Sequence, residues 1–108
     1  MKARLADALP DLTAQVAEAL RHEGYAAAAE ELLHAVIDEC RYDPSVNAGY
    51  VSLVQAKFIL PGETPAAETV AFAAPHWFNV DLRVTGELFG IELLSPSAAF
   101  KAIAQPYR

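Results

Sequence analysis

The chain has one cysteine, Cys40, in 108 residues. It cannot form an internal disulfide, and no CxxC pair is present for zinc or thiol–disulfide chemistry. Basic residues are also few: 8 Lys and Arg stand against 14 Asp and Glu, a formal charge of −6. Non-specific nucleic-acid binding is driven by Lys and Arg, so this balance argues against it. It argues equally against attraction to anionic membrane surfaces. No run of 18 apolar residues occurs, so no transmembrane helix is expected. The opening MKARLADALP lacks the apolar core of a secretion signal. These features point to a reducing cytoplasm, with neither nucleic acid nor membrane as partner. A phosphate-binding glycine loop, a G-x-S-x-G turn, an internal repeat and a low-complexity tract are missing as well.

What is present is a high apolar content, 54% of residues, too much for a disordered chain. A chain of this length buries roughly 65% of its unfolded surface, enough for one domain. The organising stretch is residues 78–94, FNVDLRVTGELFGIELL. Phe78, Val80 and Leu82 alternate with Asn79 and Asp81, the period of a strand with one buried face. On the second arm Glu87, Phe89, Ile91 and Leu93 share one face, while Leu88, Gly90, Glu92 and Leu94 share the other. With a loop over 83–86 ending at Gly86, Leu82 falls opposite Glu87, Val80 opposite Phe89 and Phe78 opposite Ile91. The spacing thus predicts a core of Phe78, Val80, Phe89 and Ile91.

Leu5, Leu9, Leu12, Val16 and Leu20 recur at helical spacing, with Asp7 as a possible cap, Pro10 in the first turn and Gly24 as the stop. A second helix carries Ala26 to Ala29, Leu32, Leu33 and Val36, giving an αα-hairpin. Residues 36–42 fit either a helix or a strand; the DP dipeptide at 43–44 favours a helix to about Ala35 and a strand over 37–42. A turn over 43–48 and strands over 49–57 and 68–72 follow, separated by a loop over 60–67. A turn over 73–76 leads into the hairpin, and Ser95 with Pro96 opens a C-terminal helix bearing Ala99, Phe100 and Ile103. The expected fold is α+β: a helical hairpin (1–35) packed on an antiparallel β-meander of about five strands (36–94), then a short helix and tail (95–108), all one domain.

From Tyr42 to Leu94 the chain resembles a family of small uncharacterised bacterial domains. Tyr42, Asp43, Pro44, Ala48 and Tyr50 match its first block, a YDP turn followed by an Ala and a Tyr opening a strand. Asp81, Gly86, Gly90, Ile91 and Glu92 match its second, an Asp followed by G-x-x-x-G-I-E. Asn47 and Arg83 stand where the family commonly has acidic residues, and the helical hairpin over 1–34 lies outside the pattern. The resemblance implies a β-meander and no particular chemistry. Members of such families can be encoded beside toxin-like genes, which implies an antitoxin or partner-binding role.

Four residues are candidates for a site: Trp77, Asn79, Asp81 and Glu92, on the second face of the hairpin around the side-chain gap at Gly90, with His76 near in sequence. Two carboxylates and a histidine could bind a metal or work as acid and base. A solvated sheet face carrying charge against edge pairing explains the same residues with fewer demands. Cys40 with His34 could form a nucleophile–base pair, yet no oxyanion motif accompanies them and a lone cysteine is usually a small buried hydrophobe. His22 and His34, on helices and twelve residues apart, lack metal-ligand spacing. Asp43 and Asn47 mimic the start of a calcium loop without its Gly and bidentate Glu, so a turn cap is the better reading.

The expectation is a non-catalytic protein–protein interaction or self-associating module, without cofactor or metal, forming a homodimer. The alternatives are an antitoxin-like partner of a toxin, and a small ligand-binding protein or enzyme using the Trp77–Asp81–Glu92 face.

Overall fold

The computed structural model describes residues 2–53, 68–72, 77–83 and 86–106. The expected loop over 60–67, the far end of the second strand at 54–57 and the turn at 73–76 with His76 lie outside them.

The N-terminal helical region is α1 (Leu5–Ala8), α2 (Pro10–His22) and α3 (Ala26–Leu32). The first two are separate because Leu9 precedes a proline. The proline ring disfavours helical geometry at that residue, and Leu9 takes φ −134° and ψ 66°. Asp7 consequently sits within α1 and does not cap the long helix, which starts at Pro10 with no side-chain cap. Gly24 ends α2 as its sequence position suggests. Its φ is +90°, and the Tyr25 N–H donates to Leu20 O at 2.8 Å while the Gly24 N–H donates to Arg21 O at 3.1 Å. These two bonds satisfy carbonyls that the helix end would otherwise leave open.

The ambiguous stretch is a strand. β1 (Ile37–Asp43) pairs antiparallel with β2 (Ala48–Leu53) across a turn at 44–47. Three further strands follow: β3 (Glu68–Ala71), β4 (Phe78–Leu82) and β5 (Leu88–Leu94). Helix α4 (Ala98–Ile103) and a two-residue β6 (Gln105–Pro106), parallel to β1, complete the described chain. The helix begins later than the sequence suggests. Ser97 is its N-cap, accepting from the Phe100 N–H at 3.3 Å, and Ser95 takes a positive φ in the turn before it.

The fold is therefore α+β, with helices against an antiparallel sheet and a short C-terminal helix. Strand order is β3-β4-β5-β2-β1-β6. The β1–β2 hairpin and the β3-β4-β5 meander join through β2 and β5. The central pair is the most apolar. Val51, Leu53, Ile91 and Leu93 are all buried and form one cluster with Leu5, Leu12, Val16, Leu20 and Leu32 from the helices. Phe100 of α4 lies on Gly49, where an added methyl carbon would come within 2.7 Å of the ring Cζ.

The β4–β5 hairpin differs from its expected register. Phe78 faces Leu93, Val80 faces Ile91 and Asp81 faces Gly90, but Leu82 faces Leu88. One step on β4 is matched by two on β5, so Phe89 is the extra residue of a β-bulge. Leu88 is fully buried and Phe89 only half-buried, the reverse of simple alternation. The expected core of Phe78, Val80 and Ile91 stands, with Leu88 and Leu93 in place of Phe89.

Candidate functional site: the outer face of the sheet

The inner face of the sheet meets the helices. Among the described residues, the side chains of the outer face are exposed or half-exposed. Strand alternation and register arrange them in three rows. At one end lie Asp43, Ala48, Leu94 and Trp77; next come Arg41, Tyr50, Glu92, Asn79 and Ala71; then Glu39, Ser52, Gly90, Asp81 and Thr69.

Asp81 is held from two sides. The Tyr50 hydroxyl donates to Oδ2 at 2.7 Å and the Thr69 hydroxyl donates to Oδ1 at 2.7 Å. Asn79 Nδ2 donates to Glu92 Oε1 at 2.9 Å. Further across the sheet, Arg41 Nε donates to Glu39 Oε2 at 2.9 Å. The two carboxylates of the expected site are diagonal neighbours, with Asp81 opposite Gly90 and Glu92 opposite Asn79. Each is hydrogen-bonded to its own partners, Asp81 to Tyr50 and Thr69 and Glu92 to Asn79.

Gly90 does not open a depression. The Tyr50 side chain crosses it to reach Asp81, and a methyl built on Gly90 would overlap the phenol, 2.6 Å from Cε2. The ring fills the side-chain gap, as aromatics do over glycines in other sheets. The side-chain gap at Gly90 is therefore occupied by Tyr50. Trp77 is half-buried, edge-on to Phe78 with centroids 5.5 Å apart, and its carbonyl accepts from the Leu94 N–H at 2.7 Å. It marks the apolar end of the face, beside Leu94, which is 45% exposed. Val46, 67% exposed, lies at the tip of the β1–β2 turn, which the Ser95 N–H to Asn47 O bond (2.9 Å) ties to the end of β5. Asn79, Asp81 and Glu92 thus share the face as expected, and Tyr50 and Thr69 are the partners that sequence reasoning missed.

The other candidates resolve as structural groups. Asp43 Oδ1 accepts from the Ser45 N–H at 3.0 Å and from its hydroxyl at 2.6 Å, and Asn47 Oδ1 accepts from the Tyr42 hydroxyl at 2.7 Å. Both residues cap their turn. Cys40 is buried on β1, and burial pushes its thiol up to about 11. It borders an open groove of about 260 Å³ with Lys2, Asp38, Ile103 and Gln105; His34 is not among the lining residues. Lys2 and Asp38, both lining that groove, form an ion pair at 3.0 Å. His22 ends α2, while His34 lies in the turn after α3 and not on the helix; both are exposed.

One more carboxylate has an unusual setting. Glu31 of α3 accepts from the Leu88 N–H at 3.0 Å through Oε1. Burial raises its pKa from the ordinary 4.5, and the nearby Glu87 charge adds to the rise; the Leu88 bond and Arg83 oppose it. Among the described residues, no group of three or more His, Cys, Asp or Glu is placed to hold a metal ion, and no helix is long and apolar enough to cross a membrane. Comparison with family models, with curated proteins and with solved structures finds no match.

Proposed function

We propose that this chain is a non-catalytic protein–protein interaction module that self-associates through the outer face of its sheet. One observation carries the reading: the polar side chains of that face bond to one another. Asp81 is committed to Tyr50 and Thr69, and Glu92 to Asn79. A reactive centre needs polar groups convergent on a ligand; here they tie neighbouring strands together and hold a surface of fixed shape. That surface carries Tyr50, Trp77 and Arg41, residue types enriched at protein interfaces. Its apolar end, Trp77 with Leu94 and Val46, supplies area that a second molecule would cover. The resemblance to small bacterial domains supports the same reading: of the residues that carry it, Tyr42, Asp43, Tyr50, Asp81, Gly90 and Glu92 bond or pack against each other or their neighbours. We assign the role to the cytoplasm, where the lone thiol of Cys40 stays reduced.

The test is Leu94→Lys, an exposed position whose change leaves the core intact. Size-exclusion chromatography with light scattering should show association weakened at least about tenfold relative to wild type, the cost of placing a charge in an apolar contact. Association unchanged by the lysine would mean that this face is not the one used.

A further inference from the structure

Two parts of the β4–β5 hairpin obey different registers. At the turn, the Arg83 N–H donates to Glu87 O at 2.8 Å and Leu82 stands opposite Leu88. Continued regularly, that pairing would set Asp81 opposite Phe89. Instead Asp81 faces Gly90 and Val80 faces Ile91, and Phe89 absorbs the difference. Each register has its own anchors. The turn is held by Gly86 with φ +88°, by the Gly86 N–H bond to Arg83 O (2.8 Å) and by the Arg83–Glu87 ion pair at 3.6 Å. The body is held by Tyr50 across Gly90 and by buried Val80, Ile91 and Leu93.

If the body register ran on to the turn, Phe89 would take the inward place beside Leu82 that Leu88 occupies. Both side chains are apolar, so hydrophobicity alone does not choose between them. The backbone does. With residues 83 and 87 bonded to each other, the Leu88 N–H points away from β4, and there it meets the Glu31 carboxylate at 3.0 and 3.4 Å. Rotating the strand to bring Phe89 inward would turn that amide away from Glu31, because side chains and amides alternate together along a strand.

We propose that Phe89 is a register insert, that Leu88 and Phe89 compete for the core position beside Leu82, and that Glu31 on α3 selects Leu88. The inference is independent of the proposed self-association. It couples the two layers of the fold: moving α3 off the hairpin releases the selector and exchanges one apolar residue for the other.

Nuclear magnetic resonance on the full chain tests this. Wild type should show contacts between the Leu88 and Leu82 methyl groups and a protected Leu88 amide. In Glu31→Ala that amide should exchange at least about tenfold faster, the loss of a charge-assisted bond, and contacts from the Phe89 ring to Leu82 should appear. Glu31→Gln keeps an acceptor and should retain the wild-type pattern. Leu88–Leu82 contacts persisting alone in Glu31→Ala would overturn the selection. Deletion of Phe89 in the wild-type background tests the insert separately, even where Glu31→Ala does not fold. Removing an insert leaves a regular hairpin, so the deleted chain should keep a cooperative melt with Asp81 opposite Gly90; loss of the cooperative transition would overturn the proposal.

Discussion

The Tyr50 hydroxyl donates to Asp81 Oδ2 at 2.7 Å, and the phenol ring that carries it covers Gly90. Three strands, β2, β5 and β4, meet in that contact. Glycine is required at position 90 by the ring above it and not by its own backbone torsion. Gly90→Ala should therefore destabilise wild type by roughly 1–3 kcal/mol, the usual cost of overpacking. In a Tyr50→Ala background the same change should cost little, since no ring remains to displace. A double-mutant cycle by urea denaturation reads the coupling, which should exceed about 1 kcal/mol. Additive effects would separate the two residues.

Much of the fold is legible in the sequence because it is written in local rules. Gly24 stops a helix, Pro10 starts one, the DP turn separates β1 from β2, and alternation marks Phe78, Val80 and Leu82 as one buried face. The outer-face contact is not legible, although Tyr50, Asp81 and Gly90 each stand out in their strands. They meet because β2 lies beside β5, a pairing of strands distant in the chain, whereas sequential pairing would set β2 beside β3. The reversal of Leu88 and Phe89 is hidden for a different reason. A bulge is one residue long and leaves the alternation intact on both sides. Only the structure shows that the register at the turn and the register of the core differ by a single position.

That reversal has a direct consequence for stability. Leu88→Ala removes a fully buried side chain and should cost roughly 2–5 kcal/mol. Phe89→Ala removes a half-buried ring and should cost less than about 1.5 kcal/mol. Urea midpoints at constant slope give both values. A larger loss at Phe89 than at Leu88 would restore simple alternation.

Glu31 gives a pH dependence with a definite sign. Its folded-state pKa lies above the ordinary 4.5, with burial as the main cause. The folded protein holds this proton more tightly than the unfolded chain. The group's stabilising contribution is thus fully present below its unfolded pKa and is lost as pH rises through the folded value. Glu31→Gln keeps the acceptor for the Leu88 N–H and removes the ionisation. Relative to wild type, its stability should rise from about pH 4 to about pH 7, as thermal melts at the two values would show. A difference that shrinks with pH would reverse the assignment.

Cys40 is 7% exposed and its thiol is pushed up to about 11. Few thiolates exist at neutral pH, and the sulfur is shielded. Labelling with a disulfide reagent should be slower than for a free peptide thiol by at least about a hundredfold, limited by opening of the sheet edge. Urea below the unfolding midpoint should speed it. Immediate labelling in native buffer would mark Cys40 as accessible.

The most direct measurement of the proposed role is sedimentation equilibrium on the wild-type chain across the micromolar range, at low and at high salt. Self-association predicts a mass that climbs with concentration from 11.6 kDa toward twice that value. Each partner carries a formal charge of −6, so added salt should strengthen the dimer by screening the repulsion. A single 11.6 kDa species at every concentration and salt would contradict the account.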